Sequence, residues 1–198
     1  MRELAAVKLL DILERRRPER LVSIQAQILL NMTARGFGVK RKRIAHLPAD
    51  EALASYARFT VECMEKPAAP GQGAPDEGKT GRAGRRAVLR RLYREAYRTG
   101  SRIRVITGIR ESRDIEKLVF YLYRNLQIAM EGHIPGEITV SDCYFGRIYT
   151  PAQCAVMSAA DSGVIAGICG GGKLKFTERI TEGCGECKAC FRKEREER

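Results

Sequence analysis

Cysteine is the residue type in this sequence whose spacing most plainly admits chemistry. The segment GCGECKACF, Gly183 to Phe191, sets Cys184, Cys187 and Cys190 three residues apart. Residues three apart on a strand face opposite sides, so a loop is needed to gather the three sulfurs. Gly183 and Gly185 give the backbone that freedom. Thiolates held so close repel one another unless a cation or cluster neutralises them. A metal site is therefore the expectation, with a fourth ligand sought among Cys154, Cys143 and Glu178. Structural zinc comes first, because Cys-rich or Cys-plus-Glu ligation suits it. An iron–sulfur cluster is the alternative, suited by the doubled Cys-x2-Cys run although no proline follows it. A thiol–disulfide switch is the third reading. Cys63 and Cys169 sit in apolar helical surroundings and read as packed thiols.

Acid–base groups are fewer. Histidine occurs only as His46 and His133. His133, in EGHIPGEI, is the candidate base by neighbourhood, against the ordinary role of an exposed loop imidazole. Asp161 is the candidate acid, because positions 154, 157, 158 and 161 share one helix face with Cys154. Its ordinary role would be a packing hydrogen bond on a surface of Ala155, Ala159, Gly163 and Gly167.

These side chains need a scaffold, and the sequence suggests one in four parts. Residues 1–66 read as helices, with Ala6, Leu9, Leu10 and Leu13 at helical spacing in the first. The second runs from about Glu19, with Leu21, Ile24, Ile28 and Met32 on one side, and Gly36 and Gly38 end it. The third begins near Asp50 and carries Leu53, Tyr56, Thr60 and Met64. Residues 67–84 are rich in Pro and Gly and read as a flexible linker. Residues 85–192 form the candidate ligand-binding module, and 193–198 a charged tail.

Within the module, RRAVLRRLYREAYRTG reads as a helix closed by Gly100, with Arg86, Arg90, Arg94 and Arg98 as a solvated row. A second helix is expected from Arg113 to Met130, capped by Ser112. EITVSDCYF alternates like a strand. Thr150, Pro151 and Gln153 make a capping box for a helix that ends at Gly170–Gly172. LKFTERI reads as another strand before the cysteine loop. The fold class is α+β: a helical N-terminal region followed by helices packed on a small antiparallel sheet.

Composition narrows the function classes. At 198 residues the chain has room for one well-packed domain with a small extension. With 44% hydrophobic and 30% charged residues it falls in the ordinary globular range, and no apolar run suggests a membrane span. Acidic residues inside the first apolar run argue against a signal peptide, so a cytoplasmic location with reduced cysteines is expected. The net charge of +12 favours anionic partners, among them an anionic small molecule. Nucleic acid is the lesser expectation, because no zinc-finger, RNA-recognition or helix-turn-helix signature is present.

From about Leu89 to Phe191 the chain resembles proteins grouped with L-2-amino-thiazoline-4-carboxylic acid hydrolase. The resemblance rests on GEITVSDCYFGRIYTPAQC, SAADSGVIAGICGGGKLKF and TERITEG followed by cysteine, with DEALASYARFT in the N-terminal region. That group is in turn similar to the vinyl-4-reductase domain, a small-ligand-binding α+β module. Among the sensors of that kind a zinc is held by a helix cysteine, a strand glutamate and two later cysteines. The resemblance puts Cys154 and Glu178 at the first two places and Cys187 or Cys190 at the fourth. Thr181 stands where the third ligand would be, a departure that Cys184 could offset. For the hydrolases the resemblance implies water attack on the amidine-like carbon of a thiazoline ring. The expected function is small-molecule binding of a sensor-like kind with a Cys-rich metal site. The alternatives are a metal-assisted hydrolase of a cyclic amidine and an iron–sulfur redox protein. A homodimer is expected from the small-residue helix and the habits of similar modules.

Overall fold

The structure, a computed structural model, describes residues 18–65 and 81–193. The helix expected around Leu9, most of the linker and the last five residues of the tail lie outside the described residues. In chain order the elements are α1 (Pro18–Phe37), α2 (Ala49–Glu65), α3 (Gly81–Thr107) and α4 (Ser112–Arg124). Then follow β1 (Ile128–Gly132), β2 (Gly136–Cys143), a 3-10 turn (Tyr144–Arg147) and α5 (Pro151–Cys169). The chain closes with β3 (Lys173–Glu178), a second 3-10 turn (Ile180–Glu182) and β4 (Cys187–Arg192). The sheet is antiparallel throughout, in the order β1-β2-β4-β3. This is the α+β arrangement expected: N-terminal helices, then helices packed with a small sheet.

The centre of the molecule is the contact between α3 and α5. The helix α5 starts where the sequence puts it. The Thr150 hydroxyl accepts from the Gln153 backbone, and the Gln153 side chain accepts in return from the Thr150 backbone N–H. It ends at Gly170 in the left-handed conformation. Its small residues let α3 come close. A methyl group at Gly163 would stand 2.7 Å from the Ala96 side chain, and one at Gly167 would meet the Tyr97 carbonyl and Ser101 amide of α3. The small-residue face is therefore filled from within the chain, which removes the sequence argument for a homodimer through it. By length and composition α5 could also cross a membrane, yet it is the core helix, with Ile165 and Ala166 fully buried.

Four element boundaries differ from expectation. The long helix does not close at Gly100 but continues to Thr107, and it begins at Gly81, inside the expected linker. Gly100 is buried mid-helix, where a side chain would strike the Val164 carbonyl of α5. A helix-ending glycine and a glycine of close approach look alike in sequence. The next helix stops at Arg124 rather than Met130, because Gln127 takes a left-handed φ of 56° and turns the chain into β1. Ser112 is its first residue rather than its cap. Glu111 holds the cap position without a side-chain bond.

One hydrophobic core runs through the N-terminal helices and the sheet module together, from Leu30 and Leu53 to Ile138 and Phe191. On β4 the alternation is regular: Cys187, Ala189 and Phe191 face the helices and are buried, while Lys188 and Arg192 are exposed on the outer face. The edge strand β3 is steadied by α5, whose buried Ser162 hydroxyl receives the Leu174 amide at 3.4 Å.

Candidate functional site

Between α1, α4, α5 and the turn after β2 lies a cavity of about 260 Å3. Leu21, Ile24, Gln25, Ile28 and Met32 of α1 form one wall, and Tyr121, Leu122 and Tyr123 of α4 a second. Met157, Ala160, Asp161 and Val164 of α5 form a third. Tyr56, Phe145 and Tyr149 complete the interior. Phe145 meets Tyr56 edge-on at 5.7 Å and stacks on Tyr149 at 5.4 Å. Two walls are tied together where α1 meets α4: the Gln25 amide donates to the Leu122 carbonyl at 2.6 Å, and the Asn125 amide to Gln25 Oε1 at 3.3 Å.

The sequence shows why α1 can serve here. Its apolar residues cover two faces rather than one. Ala26, Leu30 and Ala34 are fully buried in the core, whereas Ile24 and Ile28 stay 47% and 42% exposed on the cavity side. Helical spacing put Leu21, Ile24, Ile28 and Met32 on one side of the helix. A helix apolar over so wide an arc has more than one surface to cover, and that arc was the available signal.

Asp161 is the one carboxylate among the described residues that lines this cavity. It is half-buried by accessible surface yet deep in the protein, and the surface it keeps belongs to the cavity that it lines. The Tyr123 hydroxyl donates to its Oδ1 at 2.9 Å. Removal from water pushes its pKa up from 3.8 to about 6, and the Tyr123 hydrogen bond offsets part of that rise. Its neighbours Tyr56, Tyr123 and Tyr149 are buried phenols, all raised chiefly by desolvation and further by the Asp161 charge, so they stay neutral. Tyr121, also in the wall, has its hydroxyl buried without a hydrogen-bond partner among the described residues.

The predicted metal ligands divide into two groups. Cys143 and Cys154 line the cavity, and Cys187 lies just behind them. Cys187 Sγ accepts from the Ile180 amide at 3.3 Å, and Cys154 sits beside Thr181 in the same turn. Cys184 is near enough to Cys187 for their charges to interact. Burial pushes the Cys143 thiol up to about 12 and raises Cys154 and Cys187 too. The other two candidates face away. Cys190 opposes Glu137 and Lys175 across its neighbouring strands, on the outer face of the sheet. Glu178 pairs with Lys188 at 3.1 Å on that same face.

Local register explains this division. Between Phe176 and Glu178 the pairing with β4 shifts by one residue, so Glu178 opposes Lys188 and turns outward, where strict alternation would turn it inward. A second shift, opposite Ala129 and Met130, does the reverse for Cys143, pairing it with buried Ile128. Among the described residues no three His, Cys, Asp or Glu side chains stand close enough together to share one ion. The loop expected to gather Cys184, Cys187 and Cys190 is in part the strand β4, and it separates them.

His133 lies in the β1–β2 turn, its side chain 85% exposed and 3.5 Å from Glu116. It does not line the cavity, so the two candidate catalytic residues are not brought together. The four-residue arginine row is exposed, as expected for a solvated face. No Arg, Lys or His among the described residues lines the cavity. The basic side chains Lys173, Lys175 and Arg179 instead border a separate, more open groove of about 390 Å3 between β3 and α5. Comparisons with family models, with curated proteins and with solved structures return no match.

Proposed function

We propose that the protein binds a small, largely apolar molecule in the cavity between α1, α4 and α5, as a sensor-like ligand-binding module. What supports this is the enclosure of a carboxyl group, Asp161, by a wall made mostly of aliphatic and aromatic side chains. Ligand pockets have this composition: apolar over most of their surface, with a few polar groups that fix orientation. A fold selected for stability alone would fill such a space with side chains. The test is a thermal-shift screen of one- and two-ring compounds against the full chain, repeated with Ala160→Phe and Val164→Phe, which narrow the cavity. Compounds that raise the melting temperature of the parent but not of either folded variant support the reading. Shifts that survive in both variants would place binding elsewhere.

A metal is the second element of the proposal, and it is confined to the thiols that the fold groups together. Cys143, Cys154 and Cys187, with Cys184 near Cys187, are the residues that would hold zinc or an iron–sulfur cluster, and they would have to draw closer together than they stand here to share it. The backbone amides directed at Cys143 and Cys187 are the kind of hydrogen bond that favours a thiolate. Such an ion would supply structural cross-linking behind the cavity wall. Elemental analysis of protein prepared without oxygen is expected to find metal that falls, together with melting temperature, in Cys187→Ser. Cys190→Ser is expected to leave both unchanged, because that side chain faces outward. Equal loss in both variants would remove the assignment.

The hydrolase reading draws on Asp161 alone. A carboxyl that titrates near neutrality is suited to general acid–base work on a ring held against it. Turnover of a cyclic amidine by the parent, and none by folded Asp161→Asn, would move the protein from binder to enzyme.

A further inference from the structure

We infer that the ligand of this cavity is an organic cation, an amine carried on a one- or two-ring apolar body, with Asp161 as its counter-ion. The inference rests on the proposed use of the cavity and adds the charge of its occupant.

The argument starts from what surrounds the carboxylate. A buried ionised carboxyl is normally paired with a cation, or accepts enough hydrogen bonds to replace its lost water. Asp161 Oδ1 has one such bond, from Tyr123. Among the described residues no Lys, Arg or His stands within ion-pair distance of it, although the chain has 36 Lys and Arg residues. The arginine row of α3 and the lysines of β3 lie on other surfaces. Among the described residues Asp161 is thus the one carboxylate in the cavity wall, with no basic side chain beside it.

Among the described residues, every other titratable group around Asp161 is an acid that is neutral at physiological pH when no metal is bound. Tyr123 comes from α4, Tyr56 from α2, Tyr149 from the turn before α5, Cys154 from the first turn of α5, and Cys143 and Cys187 from the sheet side. All are shifted upward, away from neutrality, so Asp161 alone changes charge between about pH 5 and 7. An anionic ligand would meet a like charge in a desolvated space. A neutral ligand would leave the carboxylate short of partners. An ammonium group supplies both the opposite charge and the missing donors, and a charge-assisted bond in such surroundings is among the stronger ones. The aromatic wall of Tyr56, Phe145 and Tyr149 offers ring faces to the same cation. Tyr121 adds a hydroxyl with no hydrogen-bond partner among the described residues.

The experiment compares three isosteres on the full chain by calorimetry: 2-naphthylmethylamine, 2-naphthylmethanol and 2-naphthoate. The amine is expected to bind about tenfold or more tightly than the alcohol at neutral pH, with no binding of the carboxylate. Its advantage is expected to vanish in Asp161→Asn and to fade below about pH 6 as the carboxyl takes up its proton. Equal binding of amine and alcohol, unchanged by Asp161→Asn, would overturn the cation and leave the cavity as a ligand site. Preferred binding of the naphthoate would overturn it in the same way. Failure of all three, together with no hit in the wider thermal-shift screen, would overturn the cavity reading itself.

Discussion

Replacing Gly167 by alanine is expected to lower the stability of the protein by about 3 kcal/mol or more. The new Cβ would collide with the Tyr97 carbonyl and lie 2.7 Å from the Ser101 amide, both backbone atoms of α3. A flexible side chain could swing aside, but a helix backbone cannot, so α3 and α5 must separate along their whole contact. For a chain of this size the fall in melting temperature would be roughly 6–12 °C. Gly185→Ala is the control. No atom lies within 4 Å of the added carbon there, and the expected change is within about 0.5 kcal/mol. Denaturant melts of the two variants decide the matter: a near-neutral Gly167→Ala would mean that the helices do not approach so closely.

Asp161→Asn is expected to act in the opposite direction and stabilise the protein at neutral pH by about 1–2 kcal/mol. The sign follows from the shift. The carboxyl titrates near 3.8 when the chain is unfolded and at about 6 when folded, so the folded state holds its proton more tightly. Protonated Asp161 therefore favours folding below about pH 4, and this contribution is lost as pH rises through 6. Above that point the fold carries an ionised group in apolar surroundings. Asparagine is neutral throughout and keeps an oxygen for the Tyr123 hydroxyl. The two proteins should match in stability near pH 4 and diverge by pH 7. The full shift would correspond to about 3 kcal/mol, which is reduced here because the carboxyl retains surface in the cavity. A variant that is less stable than the parent at neutral pH would show that Asp161 is a structural anchor rather than a strained functional group.

How far the sequence could be read depended on which signals were local. The start of α5 was legible because a capping box is written in four consecutive residues, Thr150 to Gln153. The split of β4 into inward Cys187 and outward Cys190 follows from strand alternation, once that segment is recognised as a strand. The fate of Glu178 and Cys143 was not legible, because each is turned by a register shift that leaves no mark in the pattern of apolar residues. Asp161 was recognised as an acid from its position on the helix, but its surroundings were not. Those come from Tyr56, Tyr123 and Tyr149, residues far apart in the chain whose convergence only the tertiary fold creates. The helix boundaries at Gly100 and Arg124 failed for a related reason. A glycine says that space is short or that the chain turns, and the neighbouring element decides between the two.

One feature of α1 sets how the molecule can be taken apart. The same helix contributes Leu30 to the common interior and Ile24, Ile28 and Met32 to the lining of the chamber. Cutting the chain ahead of α3 would therefore not release a half that keeps the chamber. It would bare Leu92 and its neighbours to water and leave the acid of α5 facing bulk solvent on one side, so the chamber and the fold are a single property of both stretches together.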